Sequence, residues 1–201
     1  MTALKAIETT YNGYRFRSRL EARWSVFLDR LNVIHEYEPE GFDLSGVPQQ
    51  DVPLVGKDAW YLPDFWLPTQ RSWVEVKPVA TTPIENERMA RLAVASGLNV
   101  INVVGQPWIV AEEYRGGGYD EQESGFIYFG GEDSGWDNHY LLTACPFCGR
   151  VDWCFEGYAD RLKCACPNER KGVGDFARVQ RAYLAARSAR FEFGQTPKAG
   201  G

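Results

Sequence analysis

Two acidic residues and a lysine, Asp64, Glu75 and Lys77, interrupt an otherwise aromatic and aliphatic run, YLPDFWLPTQRSWVEVKP, at residues 61–78. Burial of such groups without partners is unfavourable by several kcal/mol, and a divalent cation would offset that cost. Mg²⁺ prefers a few carboxylate oxygens, and a nearby lysine can orient or help to deprotonate a water molecule. The pattern therefore indicates a metal site for hydrolysis. The alternative is a surface ion pair between Glu75 and Lys77, with Asp64 as a turn residue after Pro63.

Two strands must position these side chains. The segments 60–67 and 72–77 have the aromatic and β-branched composition of strands, and the four-residue connector PTQR is short enough for a hairpin. Because side chains alternate along a strand, Glu75 and Lys77 project from the same face. If the two strands are neighbours, Asp64 approaches the same edge of the sheet, and both carboxylates and the ammonium group converge there.

The surrounding elements predict a mixed α/β sheet. Apolar residues at helical spacing predict helices at 17–31 and 83–97. The segment 32–42 predicts a further strand, and the nearly continuous apolar run 98–105 predicts a strand that is buried on both faces. The element order is thus helix, strand, strand, strand, helix, strand, which suits a sheet with helices packed on it.

The dipeptide PD and the tripeptide EVK, ten residues apart, resemble the signature of the PD-(D/E)XK nuclease superfamily, and the predicted element order is similar to the αβββαβ core of that superfamily. The resemblance covers about residues 14–105. It implies a restriction-endonuclease-like mixed sheet and Mg²⁺-dependent (or Mn²⁺-dependent) deoxyribonuclease activity. It also implies that Asp64, Glu75 and the carbonyl oxygen of Val76 bind the metal, and that Lys77 positions the attacking water or stabilises the charged phosphorane.

Glu21, in the first predicted helix, is the fourth candidate catalytic residue. In members of the superfamily such as phage Holliday-junction resolvases and the TnsA transposition endonuclease, a glutamate on the first helix joins the metal site, and Glu21 matches that role. The resemblance implies that Glu21 binds a second metal or holds a water molecule. An alternative comes from Ser18, because Ser18-x-x-Glu21 is the pattern of a capping box, in which the glutamate bonds to the backbone at the helix start.

All five cysteines of the chain lie between Cys145 and Cys166. In a reducing compartment such clustering favours a metal site over disulfides. The segment CPFCG looks like a zinc-ribbon knuckle, whereas the second pair has the spacing C-x-C in place of C-x-x-C, so that Cys154 and His139 are alternative ligands. Four thiolates in a closed tetrahedral shell form a structural Zn²⁺ site. The expected ligands are Cys145, Cys148, Cys164 and Cys166.

These features predict four segments along the chain. They are a nuclease core at 1–111, an acidic Gly-rich linker or lid at 112–140, a small C-terminal zinc-ribbon-like module at 141–172, and a terminal basic helix with its tail at 173–201. The Zn²⁺ ion is expected to fold a segment that is too small for its own core. The module would grip nucleic acid or a second protomer with nearby basic residues, namely Arg161, Lys163, Arg170 and Lys171.

The leading functional expectation is an endonuclease that hydrolyses DNA phosphodiester bonds, with structure-specific cutting of branched DNA suggested by the resemblance. A homodimer would suit cutting of two strands, although no heptad repeat is visible. The runner-up is a non-catalytic, zinc-containing nucleic-acid-binding or adaptor protein on a nuclease-like fold. A third hypothesis, a phage protein that occupies a host protein, is favoured only by the acidic segment 112–137.

Composition and charge restrict the cellular context. The net charge of −5 provides no general attraction to a polyanion, but nine Lys and Arg against three Asp and Glu from Arg161 onward are compatible with a local nucleic-acid patch. The N-terminus lacks the apolar stretch of a signal peptide, and no apolar run is long enough to span a bilayer. We therefore expect a soluble protein of the cytoplasm, without a membrane partner.

Overall fold

The structure is a computed structural model that describes residues 6–48, 52–107, 126–128, 140–155, 158–172 and 174–191. The α-helices in this part of the chain are Arg19–Arg30 (α1), Pro83–Ser96 (α2) and Phe176–Ser188 (α3). The β-strands, in chain order, are Thr9–Tyr11 (β1), Tyr14–Phe16 (β2), Glu36–Tyr37 (β3), Phe42–Asp43 (β4), Trp60–Tyr61 (β5), Phe65–Leu67 (β6), Ser72–Lys77 (β7), Asn99–Val104 (β8), Phe126–Tyr128 (β9), Tyr140–Ala144 (β10) and Val151–Phe155 (β11). Apart from β9 and the first residue of β10, the predicted linker or lid at 112–140 lies outside the described residues.

A five-stranded mixed sheet forms the centre of the fold and confirms the predicted mixed α/β class. Its strand order is β3-β6-β7-β8-β9. β6 and β7 form the predicted antiparallel hairpin, and β8 runs parallel to β7 after the crossover through α2. β3 and β9 pair antiparallel at the two edges. The hairpin brings the start of β6 and the last residues of β7 to the same end of the sheet.

Both faces of the sheet are buried, as the apolar run in β8 predicts. Val74 and Val76 of β7 belong to the larger core, which includes residues of α1 and α3, whereas Trp73 belongs to a second core that includes residues of α2. Because side chains alternate along β7, Glu75 and Lys77 lie on the α2 face. Charged groups therefore replace apolar ones toward the end of that face.

The predicted strand at 60–67 is two strands in the structure. Trp60–Tyr61 pairs with β4 in a separate ladder, and Phe65–Leu67 pairs with β7 in the main sheet. Pro63 accounts for the break, because it has no N–H group to donate and restricts the backbone of the residue before it. The prediction of one continuous strand was wrong, and Asp64 lies at the break, directly before β6.

The first two predicted helices are confirmed, with ends that follow from their sequences. Ser18 caps α1 by accepting a hydrogen bond from the N–H of Glu21, and Thr82 and Glu85 form a capping box at the start of α2. Gly97 ends α2 in the left-handed region, with a φ of 64°. No helix in the described part of the chain has both the length and the apolar composition that a membrane crossing needs.

A short N-terminal hairpin, β1–β2, is absent from the predicted elements although the sequence carries a strong signal for it. Asn12 and Gly13 form its turn, with φ values of 48° and 84°. An Asn-Gly pair favours this kind of turn because both central positions need a positive φ. The hairpin packs on α1 through the buried side chains of Tyr11 and Phe16, and it leads the chain into Arg17 at the start of α1.

The C-terminal segment shares the larger core with α1. The hairpin β10–β11 and helix α3 contribute to that core, and Phe27 of α1 stacks on Tyr183 of α3 with ring centroids 4.4 Å apart. Arg178 of α3 donates hydrogen bonds to the carbonyl oxygens of Leu31, at 2.6 Å, and Gly149, at 2.8 Å. These contacts fix the cysteine-containing segment to the first helix.

Gly174 provides a test of this packing, since its φ is 77° and a Cβ atom there would lie 2.6 Å from the carbonyl oxygen of Ala144. We expect Gly174→Ala to lower the free energy of unfolding by about 2 kcal/mol or more, because it adds backbone strain and a clash. Chemical denaturation measures the change. Gly46→Ala is the matched control, because a Cβ atom at Gly46 meets no atom within 4 Å. An equal loss of stability in both variants would contradict the packing described above.

Candidate functional site

The carboxylate of Asp64 is buried between the start of β6 and the end of β7. Asp64 is 2% exposed, and its Oδ2 accepts a hydrogen bond of 2.7 Å from the backbone N–H of Val76. The carbonyl oxygen of Asp64 accepts another, of 2.9 Å, from the N–H of Glu38. Phe65 pairs with Val74, so the same register, extended by one residue, places Asp64 opposite Glu75. Backbone groups thus hold Asp64 in position.

Glu75 and Lys77 form an ion pair on the same face of β7. Nζ of Lys77 lies 2.8 Å from Oε1 of Glu75, and the hydroxyl group of Tyr61 donates a hydrogen bond of 2.9 Å to Oε2. Glu75 is only 5% exposed, so the pair is not the surface ion pair of the alternative interpretation. Asp64, Glu75 and Lys77 line a single cleft.

Glu85 is a cleft residue that the sequence analysis did not identify, although its capping-box pattern, Thr-Pro-Ile-Glu at 82–85, is visible in the sequence. Its Oε1 lies 2.9 Å from Nζ of Lys77, and its Oε2 accepts hydrogen bonds from the N–H and the hydroxyl group of Thr82. Burial raises the pKa of Glu85, but these bonds and the ion pair outweigh it and lower the pKa to about 2. Glu85 is therefore a permanent negative charge at neutral pH.

Lys77 is protonated at neutral pH. Burial lowers its pKa, but the carboxylates of Glu75 and Glu85 outweigh burial, so that the pKa of Lys77 is raised above its ordinary value. The ammonium group lies between the two carboxylates. In this arrangement Lys77 serves as a cation and has no tendency to accept a proton.

Glu21 lies in the first turn of α1 and also lines the cleft. Its Oε1 accepts a hydrogen bond of 2.7 Å from the hydroxyl group of Ser18, and its Oε2 accepts hydrogen bonds from the hydroxyl group of Tyr37 and the N–H of Arg17. The backbone bond of the expected capping box therefore goes to Arg17 in place of Ser18. Helix capping and a position in the cleft coexist at Glu21.

Arg17 supplies positive charge to two of the acids. Its Nη2 lies 2.7 Å from Oδ1 of Asp64, and its Nε lies 2.5 Å from Oε1 of Glu38. Glu38 reaches Arg17 from the turn after β3, where its φ is 45°. The 47 residues that separate Arg17 from Asp64 explain why the sequence pattern does not reveal this ion pair.

The surroundings raise the pKa of Asp64 well above its usual range. Burial is the largest cause, followed by the negative charges of Glu75 and Glu21. The N–H of Val76 and the guanidinium group of Arg17 act in the opposite direction but do not compensate. The charged form of Asp64 is therefore disfavoured in the cleft without a metal ion.

The cleft that these residues line has a volume of about 740 Å³. It contains Glu21, Asp64, Glu75 and Lys77, together with Val76. Comparisons of the chain with protein-family models, with curated proteins and with solved structures found no match.

Four cysteines of the C-terminal segment form a candidate metal site. Their sulfur atoms all lie within 4.8 Å of one another, and Sγ of Cys145 lies 3.7 Å from Sγ of Cys164. Tetrahedral Zn²⁺ with Zn–S bonds of about 2.3 Å would place its sulfur ligands about 3.8 Å apart. The arrangement therefore fits a structural metal such as Zn²⁺. The four residues are the expected ligands, Cys145, Cys148, Cys164 and Cys166.

Backbone turns position the cysteines of this cluster. The N–H of Gly149 donates a hydrogen bond of 3.0 Å to the carbonyl oxygen of Cys145, and Gly149 has a φ of 72°, which closes the knuckle. In the second pair, the N–H of Cys166 holds the pKa of Cys164 at about 6. The thiolate is the form of cysteine that binds metal, so this hydrogen bond favours ligation by Cys164.

Cys154 and Lys171 do not have the roles that the sequence suggested for them. Cys154 does not belong to the four-sulfur group. It lies in β11, where burial raises its pKa to about 11. His139 lies outside the described residues.

Lys171 was wrongly expected at a nucleic-acid surface: it is 2% exposed, and its Nζ donates to the carbonyl oxygen of Leu162 and to Oδ1 of Asn168. The other basic residues of that group are exposed, namely Arg161, Lys163 and Arg170.

The raised pKa of Asp64 predicts that Asp64→Asn stabilises the metal-free protein. Above the raised pKa the folded state must hold a disfavoured charge, whereas below about pH 4 the carboxyl group is protonated in both folded and unfolded states. We expect the Tm of Asp64→Asn in EDTA, measured by scanning calorimetry, to exceed the wild-type Tm by a few degrees at pH 7. The difference should vanish as the pH falls toward 4.

Asp43→Asn is the control for that measurement, because the N–H of Ser45 lowers the pKa of Asp43. This substitution should give no gain in Tm at pH 7. A Tm of Asp64→Asn below the wild-type value at pH 7 would show that the folded protein favours the charged form of Asp64, contrary to the electrostatics of the cleft.

The cysteine cluster predicts about one Zn²⁺ per chain in protein purified without added metal, measured by elemental analysis. Cys164→Ser should lower the content below about half an ion per chain, because it removes one of the four ligands. Cys154→Ser is the matched control and should keep the ion. Equal metal content in the two variants would contradict the assignment of these ligands.

Proposed function

We propose that the chain is a metal-dependent nuclease that hydrolyses phosphodiester bonds in DNA. The observation that carries the proposal is the buried pair Asp64 and Glu75, which shares an open cleft with protonated Lys77. Buried carboxylates in such numbers destabilise a fold, and apolar residues of similar size would serve a purely structural sheet better. Their presence at one end of the sheet supports a role as ligands.

The oxygen donors of the cleft fit Mg²⁺ or Mn²⁺. Asp64, Glu75 and the carbonyl oxygen of Val76 would hold the ion, and Glu21 would hold a second ion or a water molecule. The fit rests on the carboxylates that line the cleft. Asn102, which is in register with Glu75 and has no hydrogen-bond partner for either amide atom among the described residues, does not belong to that lining. When bound, the ion would neutralise charge on the phosphate and lower the pKa of water.

Lys77 would stabilise negative charge in the reaction. Its raised pKa keeps Nζ protonated next to Glu75 and Glu85. From this position the ammonium group would attract the charge that develops on the scissile phosphate and would orient the attacking water by donating a hydrogen bond. Of the two roles that the sequence suggests, the cationic one is therefore favoured over proton abstraction.

Arg17 would exchange partners when the metal binds. Its guanidinium group is an internal cation for Asp64 and Glu38, and its side chain is 56% exposed. A metal ion on Asp64 would make that ion pair unnecessary. The released guanidinium group would then bind a phosphate of the DNA backbone, for which its planar donors are well suited.

The cysteine cluster would bind Zn²⁺ with a structural role. A Cys₄ shell has no open coordination position and hence no direct part in hydrolysis. Because Arg178 connects Gly149 of the knuckle to Leu31 after α1, the ion would stabilise the helix that carries Glu21. The exposed basic residues of this segment, Arg161, Lys163 and Arg170, would add phosphate contacts.

A second candidate function is a non-catalytic nucleic-acid-binding or adaptor protein. One observation favours it: Arg17 forms an ion pair with Asp64, and Lys77 forms one with Glu75, so each of these two buried acids has a protein cation. On this interpretation the acids and cations complete one another without a metal. The two candidates differ in their response to divalent ions.

Cleavage assays test the nuclease. With Mg²⁺ or Mn²⁺ the protein should cut plasmid DNA or a four-way junction, and EDTA should abolish cutting. Asp64→Ala and Glu75→Ala should each lower the rate by about 100-fold to 1,000-fold, because each removes a ligand of the ion that would neutralise the charge of the transition state. Glu36→Ala, which removes an exposed acid of β3, should cut like the wild type.

The outcomes separate the two candidate functions. Tight DNA binding without cutting under any divalent ion would favour the adaptor and reject the nuclease. Cutting that survives in both Asp64→Ala and Glu75→Ala would place the activity outside this cleft. Circular dichroism of each variant checks that lost activity does not reflect a lost fold, and the ratio of junction to plasmid cutting reports the preference for branched DNA.

A further inference from the structure

Three exposed apolar side chains share the cleft with the acids. Trp60 is 63% exposed, Ile7 53% and Leu62 38%, and all three line the cleft. The structure describes five tryptophans, and the other four are buried or half-buried. Apolar groups that remain exposed together in a concave site mark a surface for binding. We call these three residues the apolar wall.

The strand β5 connects the apolar wall to the acids. Tyr61 is buried and donates its hydroxyl hydrogen bond to Glu75, whereas its neighbours Trp60 and Leu62 are exposed, as the alternation of a strand requires. β5 is fixed by its pairing with β4, in which Trp60 faces Asp43. Trp60 is therefore the sequence neighbour of Tyr61, whose hydroxyl group bonds to the proposed metal ligand Glu75.

The charges of the cleft fit a phosphodiester chain once a divalent ion is present. Four acidic and four basic residues line the cleft, so their formal charges cancel, and one divalent ion would make the total +2. Each nucleotide linkage carries one negative charge. The acidic residues are Glu21, Asp64, Glu75 and Glu85, and the basic residues are Arg17, Arg19, Lys77 and Arg88.

We propose that the apolar wall stacks an unpaired nucleobase, and that the substrate is therefore single-stranded DNA or the unpaired segment of a branched DNA. This inference rests on the proposed nuclease function and names its substrate class. In the interior of a duplex the faces of the bases are covered by their neighbours, so an indole group can stack there only on a base that has left the helix. Trp60 would supply the stacking surface, while Leu62 and Ile7 would exclude water around it.

Binding of DNA to Trp60 variants tests the inference. The probes are a fluorescein-labelled single-stranded oligodeoxynucleotide and a blunt duplex of the same sequence, with Ca²⁺ in place of Mg²⁺ and the DNA checked for integrity on a gel. Trp60→Ala should weaken binding of the single strand at least about fivefold and change duplex binding less than about twofold, because stacking on an aromatic side chain is lost. Trp60→Phe should recover most of the affinity. Leu184→Ala removes an exposed apolar residue of α3, outside the cleft lining, and should bind like the wild type.

Several outcomes would overturn the inference. If Trp60→Ala lowers the affinity for the single strand and for the duplex equally, or leaves the affinity for the single strand unchanged, the indole group does not stack on unpaired bases. A wild-type dimer that becomes a monomer in Trp60→Ala, measured by analytical ultracentrifugation, would assign the apolar wall to a second copy of the chain. If the wild type cuts DNA and Trp60→Ala binds single strands normally, the proposed substrate class is rejected and the proposed nuclease function stands. If single strands bind through Trp60 but are never cut, the proposed nuclease function is rejected and the stacking of bases on Trp60 stands.

Discussion

The negative charge buried at the end of the central sheet is the constraint on which the rest of this site depends. Asp64 and Glu75 lie on adjacent chain segments with little access to water, and their mutual repulsion adds to the cost of burial. The N–H of Val76 and the side chains of Arg17 and Lys77 reduce this cost without removing it. A cation from solution would stabilise the charged form further, and this effect links the electrostatics to the proposed chemistry.

The fold is arranged so that distant segments meet at that charge. The β6–β7 hairpin presents Asp64 to the backbone of β7, while α1 begins at the cleft with Glu21 in its first turn. Arg17 is positioned by the N-terminal hairpin, and Glu85 comes from the start of α2. Each group reaches the cleft from the end of a regular element, where the backbone is fixed but side chains are still accessible to a ligand.

The cysteine cluster belongs to the same structural unit, although it carries a different chemistry. Its hairpin shares a core with α1, and Arg178 joins the knuckle at Gly149 to the end of α1 at Leu31. A structural ion there would therefore stabilise the support of Glu21 as well as its own loops. The apolar wall adds a third property to the molecule. It is an apolar surface within a cleft of charged groups, and a flat ring can stack on it.

Local patterns in the sequence determined the element types, the helix ends and the candidate ligands. The helical spacing of 17–31 and 83–97, the hairpin length of PTQR and the cysteine spacings act over a few residues, so they can be read without coordinates. The turn signal of Asn12-Gly13 is local in the same way. The break at Pro63 shows that composition alone does not predict where a strand ends. The aromatic run around Pro63 is typical of one strand, but a single missing N–H group divides it into two.

The tertiary structure alone decided how the charges are balanced and which surfaces remain open. The ion pair of Arg17 with Asp64, the position of Glu38, the burial of Lys171 and the exposure of Trp60 all depend on segments that are far apart in the chain. Electrostatic energy and solvent exposure are set by every neighbour in space, whereas a sequence pattern specifies only neighbours along the chain. For this reason Asp64, Glu75 and Lys77 were visible in the sequence, but the ion pair of Asp64 with Arg17 was not.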